Sequence, residues 1–187
     1  MKSFLLIMML AVPAFAGPPS DAVKAANTAL QNDLASNASA AKVKADVLGF
    51  IDVAELGKAA MGANWTKLTP AEQKEFVQTL ETLIAANYAH ATASNVNYTV
   101  AYTGETPGAN NTVTVSTVVT SQTKGRPVRI AIDYVVESSG SGYRAVDVIT
   151  DGVGLVANYG QQFNTIIQHS GVSGLLEKMK KKQQSTP

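Results

Sequence analysis

The hydrophobic periodicity of this chain changes twice, and these changes limit the folds open to it. Apolar residues recur at helical spacing before Asn95, alternate with polar residues from there to Thr150, and return to helical spacing after Gly152. Turn residues separate four β-prone runs in the middle, which predicts an antiparallel meander. Helices, then sheet, then helix indicate an α+β fold, in which helices pack on one face of a twisted four-stranded sheet.

Polar residues and glycines mark where several helices begin and end. Ser20, Asp52 and Thr69 each precede apolar residues at helical spacing and are predicted N-caps. Gly62 is predicted to end the short helix that follows Asp52, because glycine adopts the left-handed C-cap conformation easily. Gly171 is predicted to interrupt the last helix.

The first 16 residues have the three parts of a secretory signal peptide. Lys2 supplies a positive charge, residues 4–12 form an apolar run, and Ala14-Phe15-Ala16 is a small-x-small cleavage site. The apolar run is shorter than the roughly 20 residues needed to span a bilayer. We therefore expect cleavage before Gly17.

Charge and cysteine content exclude several classes of function. The chain has 15 basic and 14 acidic residues, and removing Lys2 with the signal would balance them, so no general grip on nucleic acid is expected. There is no cysteine, which excludes disulfides, zinc–cysteine sites and a thiol nucleophile. An exported chain of this kind suits a bacterial periplasm. We expect a single domain over residues 17–179, followed by a basic tail over residues 180–187.

The sequence contains no recognisable catalytic or metal-binding motif, so neither an enzymatic activity nor a cofactor is predicted. His90 and His169 are far apart and neither belongs to a ligand-spaced pair. Asp147 and Asp151 are explained by a solvated strand face and a turn. The enzymatic alternative would need an acid–base pair, for which Asp133 and Asp147 are the best candidates.

The chain has a surplus of apolar faces, which leaves two interpretations open. One layer of packing could use them all, or a cavity between sheet and helices could hold an apolar ligand. Strand alternation and helical stripes give the expected cavity lining: Val113, Val115, Val128, Ile130, Ile132 and Tyr134 from the sheet, and Leu80, Ile84, Tyr88, Tyr159, Phe163 and Ile167 from the helices. Trp65, in the loop before Thr69, is either a core plug or a further lining residue.

Two blocks of residues, in a fixed order, carry a family resemblance. The first comprises Phe50–Ala54, Met61–Trp65, Leu68–Gln73, Phe76 and Tyr88. The second comprises Tyr143–Val148, Gly152–Tyr159, Gln162 and Phe163. Together they resemble the MlaC family, the toluene-tolerance auxiliary proteins, over nearly the whole chain after residue 16.

The resemblance implies a periplasmic phospholipid carrier with an NTF2-like cone around an apolar cavity. It implies a monomer that exchanges lipid with an outer-membrane lipoprotein complex and an inner-membrane ABC transporter carrying an MCE-domain ring. A phospholipid exposing some thirty methylenes would cost on the order of 20 kcal/mol in water, at ~0.8 kcal/mol per CH₂, so its tails need a container. The alternatives are an envelope adaptor with a filled core and an enzyme on a similar fold.

Three residues depart from the pattern of the family. Tyr143, Gly154 and Gly160 stand where the family usually has Trp, Ser and Arg. These differences bear on headgroup contacts or on the partner, and they leave the large apolar positions unchanged.

Overall fold

A computed structural model of the chain describes residues 17–93, 98–123, 126–140 and 142–185. Helices precede and follow one sheet. The helices are α1 (Pro18–Ala35), α2 (Ala40–Phe50), α3 (Val53–Met61), α4 (Pro70–Ala93) and α5 (Leu155–Gln184), and a 3-10 helix spans Gly62–Lys67. The strands are β1 (Tyr98–Pro107), β2 (Val113–Thr123), β3 (Arg126–Ser139), β4 (Gly142–Thr150) and β5 (Val153–Gly154).

The sheet is antiparallel throughout, with its strands in sequence order from β1 to β5. The α+β class and the antiparallel meander are therefore confirmed. The prediction of four strands is wrong, because β5 pairs with Ile149 and Thr150 at the end of β4. A strand of two residues is too short to show an alternating pattern in the sequence.

Two of the predicted helix starts are confirmed. The Asp52 carboxylate accepts a hydrogen bond of 3.1 Å from the Glu55 N–H at the start of α3. At the start of α4, the Glu72 carboxylate accepts from the Thr69 N–H at 2.8 Å, and the Thr69 hydroxyl accepts from the Glu72 N–H at 3.3 Å. This reciprocal pair is a capping box, which satisfies N–H groups that the helix itself cannot.

The start of α1 and the existence of α2 differ from the sequence-based expectations. Helix α1 begins at Pro18 with Gly17 as its N-cap, so Ser20 lies buried in the first turn rather than at the cap. Helix α2 was not predicted, although Ser39 caps it by accepting from the Lys42 N–H. Its apolar stripe is narrow, since only Val43 and Val47 are fully buried.

Helix α5 is longer than the sequence suggests. It deviates at Gly171, whose φ of 67° lies in the left-handed region that favours glycine, so the predicted interruption is confirmed. Beyond it, Leu175 and Met179 remain buried. The helix continues to Gln184, so most of the expected basic tail is helical, and the Lys180 ammonium lies 2.7 Å from the Glu75 carboxylate on α4.

A filled core lies between the helices. Leu56, Phe76 and Leu80 are fully buried where α3 meets α4. Phe76 makes edge-to-face contacts with Trp65 and with Phe163 of α5, at centroid distances of 6.0 and 5.4 Å. This aromatic cluster holds the 3-10 helix, α4 and α5 together.

Helices α3 and α5 approach each other closely at one of the positions that depart from the family pattern. A Cβ atom at Gly160 would lie 3.2 Å from the backbone oxygen of Ala60. A residue with a side chain at position 160 would therefore require a small local shift of the Ala60 backbone or of α5.

Arg144 joins the helical layer to the sheet. Its guanidinium lies 2.8 Å from the Asp52 carboxylate and donates to the backbone oxygens of Leu48 and Ile51 at 3.0 and 2.9 Å. The Asp52 N–H in turn donates to the Ala145 oxygen at 2.8 Å. These bonds fix the junction of α2 and α3 against β4, because a planar guanidinium can serve several acceptors at once.

Candidate functional site

A cavity of about 360 Å³ lies between the sheet and the helices. Pockets that bind small molecules usually measure ~300–1,000 Å³. The wall consists of aliphatic, aromatic and neutral polar residues, and no charged residue lines it in the part of the chain that the structure describes. The lining residues are Asn27, Leu30, Ile84, Asn87, Tyr88, Tyr98, Val119, Ser121, Ile130, Ile132, Tyr134, Val148, Thr150, Leu155 and Tyr159.

The cavity occupies one end of the apolar face of the sheet. At the other end, Val115 and Val136 are fully buried against the core. Further along the same strands, Val119, Ile130 and Ile132 line the cavity and are only half-buried. One continuous apolar face thus belongs partly to the filled core and partly to the cavity wall.

Hydrogen bonds connect Asn27, the polar wall residue on α1, to side chains on two strands. The Tyr134 hydroxyl donates to the Asn27 side-chain oxygen at 3.2 Å, and the Asn27 amide donates to the Tyr102 hydroxyl at 3.2 Å. Burial raises the pKa of Tyr134 well above its usual range. The Tyr134 hydroxyl is therefore neutral at physiological pH and can hold this bond.

Two further tyrosines place neutral hydroxyls on the cavity wall. Burial raises the pKa of Tyr88 to about 12, and the neighbouring Tyr98 adds to the rise. Burial also raises the pKa of Tyr159, although a hydrogen bond with the Asn87 side chain offsets part of the rise. The polar part of the wall can therefore exchange hydrogen bonds with a ligand without introducing charge.

A second, smaller cavity of about 30 Å³ lies beside the first. Both cavities have Asn27, Leu30, Tyr88 and Tyr134 in their walls, so these four residues form the partition between them. On the far side of the partition, Phe50 packs edge-to-face on Tyr134 at 5.9 Å.

The structure brings six of the thirteen sequence-predicted lining residues to the main cavity. These six are Ile84, Tyr88, Ile130, Ile132, Tyr134 and Tyr159. Their contact with a ligand stays a prediction.

The other seven lie outside the wall of the main cavity. Leu80, Val115 and Phe163 belong to the filled core, and Val113, Ile167 and Trp65 pack half-buried against it. Val128 is 38% exposed near the start of β3. Strand alternation identifies which side chains share a face, but the length of that face covered by helices depends on how the helices pack.

Several lining residues were not predicted. Tyr98 and Val119 belong to strands whose alternation could have identified them. Asn27 and Asn87 are polar residues on helices, half-buried and exposed respectively, and nothing in the sequence distinguishes them from other asparagines. They reach the wall only because α1 packs on the sheet and α4 faces the sheet across the cavity.

Two of the three carboxylates considered for catalysis, Asp147 and Asp151, have structural partners. Asp147 Oδ1 accepts from the N–H groups of Val148 and Val156 at 2.8 and 3.1 Å, so it caps the start of α5. A Cβ atom at Gly154 would lie 2.7 Å from Asp147 Oδ2, so glycine leaves room for this cap. Asp151 accepts from the Ala131 N–H at 3.1 Å.

Searches for a metal site and for a membrane span gave negative results within the described ranges. No three His, Cys, Asp or Glu residues of residues 17–93, 98–123, 126–140 and 142–185 are grouped closely enough to hold a metal ion. His169 is exposed, and the His90 side chain lies outside the described residues. None of the helices in these ranges is long and apolar enough to cross a bilayer.

Comparison with known proteins identifies the family. The family model described as MlaC protein matches residues 20–181. The chain belongs to the MlaC family. The match covers the cavity wall, the filled core and most of α5, and it confirms the resemblance seen in the sequence.

A solved structure similar to this MlaC-family chain contains a ligand. It is a phospholipid-binding protein from Ralstonia solanacearum in complex with a phospholipid. The two chains are 26% identical, with a TM-score of 0.78, and the match covers 91% of this chain and 99% of the other.

Because the hydroxyl of Tyr88 is enclosed, we predict that the protein loses stability at alkaline pH. An unfolded tyrosine has a pKa of ~10, so between pH 10 and 12 the unfolded state loses its proton more readily than the folded state. The contribution of the Tyr88 hydroxyl to the free energy of unfolding is fully present below pH 10 and is lost as the pH rises through the pKa of the folded state. Tyr88→Phe should lack this part of the loss, which we estimate at roughly 1–2 kcal/mol.

Urea unfolding of wild type and Tyr88→Phe from pH 7 to 12 measures this effect. The difference in unfolding free energy between them should be constant from pH 7 to 9 and should then shift in favour of the variant. A difference that stays constant up to pH 12 would show that the Tyr88 hydroxyl is not enclosed.

Proposed function

We propose that this MlaC-family protein carries a phospholipid, with the acyl chains held in the main cavity. The observation that carries the proposal is the uncharged, largely apolar wall between sheet and helices, in a fold similar to a protein solved with a phospholipid bound. Each methylene moved from water into such a wall gains ~0.8 kcal/mol, so tails are its natural occupants.

The absence of charged residues among the described residues of the wall also indicates where the polar part of the lipid would lie. A phosphate in a closed apolar site needs compensating charge, because burying an unpaired ion costs several kcal/mol. The lining residues offer neutral amides and hydroxyls, such as Asn87, Ser121 and Thr150. We place the phosphate outside the cavity, and the ester groups within reach of these neutral partners.

The proposed route runs through the periplasm. Residues 1–16 have the pattern of an export signal, and the family resemblance points to exchange between an outer-membrane lipoprotein complex and an inner-membrane ABC transporter with an MCE-domain ring. A monomer suits this role, because one carrier must be able to reach both membranes. The unfilled cavity supports a carrier over an adaptor whose core is filled.

Lipid analysis of the purified protein tests the carrier function directly. Protein purified from the periplasm is extracted with organic solvent, and the extract is analysed by mass spectrometry. We expect phospholipid in an amount comparable to the protein. An extract without phospholipid, from a protein that also fails to bind a fluorescent phospholipid, would contradict the proposal.

A charge placed in the wall should abolish lipid binding. Ile132→Glu puts a carboxylate on the cavity side of β3, where water in the empty cavity can solvate it but acyl chains cannot. We expect a folded protein that retains less than a tenth of the wild-type lipid in the extraction assay.

Val128→Glu is the matched control for Ile132→Glu. Val128 lies on the same strand and the same face, but it is exposed and outside the cavity wall. It should keep wild-type lipid content. Equal lipid content in the two variants, with circular dichroism showing both folded, would place the acyl chains elsewhere.

From the exposed lysines near the end of α5, we predict that the protein docks on its partner at a rate that depends on salt concentration. Lys178, Lys180, Lys181 and Lys182 are exposed in the last two turns of α5. Exposed charges act mainly on association rates and are screened within ~8 Å at physiological ionic strength. Replacing all four by Gln should slow lipid transfer to the transporter complex at low salt and leave lipid content unchanged.

The matched control replaces four other exposed lysines by Gln, namely Lys24, Lys58, Lys67 and Lys74. Its net charge changes by the same amount as that of the α5 variant. It should transfer lipid at close to the wild-type rate. If both variants slow transfer equally, net charge rather than the end of α5 governs docking.

A further inference from the structure

The first turn of α1 is capped by a residue from a distant strand. Gly17 occupies the N-cap position, and no side chain of that residue is available to satisfy the N–H groups that follow. Glu105 of β1 takes this role. Its Oε1 atom accepts from the Ser20 N–H at 2.8 Å and from the Gly17 N–H at 3.0 Å.

The bond between Ala16 and Gly17 is also the cleavage site expected from the sequence. Hydrolysis of this bond consumes one water, leaves a carboxylate on Ala16 and converts the Gly17 amide nitrogen into an ammonium group. The nitrogen that gains the charge is therefore the one already within 3.0 Å of the Glu105 carboxylate.

We infer that Glu105 is a docking site for the N-terminus that processing creates, where it pairs with the Gly17 ammonium. The inference depends on the expected cleavage before Gly17 and is independent of the proposed lipid function. An ammonium at a helix N-terminus is disfavoured by the helix dipole, and an adjacent carboxylate offsets this penalty. Cleavage thus turns a hydrogen bond from a neutral N–H to the carboxylate into an ion pair in which donor and acceptor are both charged, which is stronger.

The surroundings of Glu105 are suited to holding a positive group. Desolvation acts to raise the pKa of its carboxyl, but hydrogen bonds from Ser20 and Gly17 outweigh this and lower it. The carboxylate is therefore ionised at physiological pH. A Cβ atom at Gly17 would lie 3.0 Å from Glu105 Oε2, so a residue without a side chain permits the close approach.

The docked terminus would also stabilise the cavity wall. Helix α1 supplies Asn27 and Leu30 to the main cavity, and Asn27 is hydrogen-bonded to Tyr102 on the same strand that carries Glu105. Helix α1 and β1 are thus joined at Glu105, at Tyr102 and, about one helical turn further along α1, at Tyr98, whose backbone oxygen accepts from the Gln31 amide at 3.1 Å. Only the processed chain would have a charged pair at the first of these points.

The reactivity of the new amino group tests the inference. The chain is exported and purified from the periplasm, and mass spectrometry should show Gly17 as its first residue. Acetylation near pH 7 favours the α-amino group, with a pKa of ~8, over lysines with a pKa of ~10.4. Because pairing keeps the ammonium protonated, we expect it to react several-fold more slowly in wild type than in Glu105→Gln.

The same samples give a second readout. Acetylating the terminus should lower the unfolding temperature of wild type by about 2 °C, as expected for one partly exposed ion pair in a chain of this size. It should not lower that of Glu105→Gln, which keeps an acceptor oxygen for Ser20 and has no ion pair to lose. Asp21→Asn is the control, since Asp21 is an exposed acid in the same helical turn, and it should react like wild type.

Three results would overturn the inference. They are a purified chain that begins at a residue other than Gly17, equal acetylation rates in wild type and Glu105→Gln, and an equal effect of acetylation on the unfolding temperature of both. None of these results bears on whether the protein carries phospholipid.

Discussion

Helices pack directly on the apolar face of the sheet at one end only. At the other end they do not, and the space between helices and sheet is the cavity. Val115 and Val136 are sealed by the core, while Ile130 and Ile132 on the same face line the cavity of about 360 Å³. An unfilled apolar wall forgoes the packing that normally stabilises a core. Acyl chains would restore those contacts, which links the incomplete packing to the proposed cargo.

The charged residues near the interior hold the surrounding elements in position, while the cavity wall is neutral. Arg144 joins the α2–α3 junction to the sheet, Asp147 caps α5 and Glu105 caps α1. Tyr88 and Tyr134, whose pKa values burial raises, keep neutral hydroxyls at the cavity. This separation suits a carrier, because the frame stays fixed while the wall can accept tails of varied structure.

The sequence predicts local structure better than it predicts the cavity. The caps at Asp52 and Thr69 and the strand alternation depend on neighbouring residues, so they could be identified directly. Helix α2 and strand β5 were missed because a narrow stripe and a pair of residues give little periodic signal. Val113 and Val115 share the face of the residues that line the cavity but lie at the end that belongs to the core, and only the packing of the helices determines where the core stops.

The central claim is that acyl chains occupy the space between sheet and helices. Phospholipid carrying a photoreactive diazirine near the end of one acyl chain can be loaded into the protein and irradiated, and the labelled peptides can be sequenced. We expect labelling of β2, β3 and α4, at residues such as Val119, Ile132 and Ile84. Labelling confined to the exposed face of α5, or to exposed residues outside the cavity wall, would contradict the account.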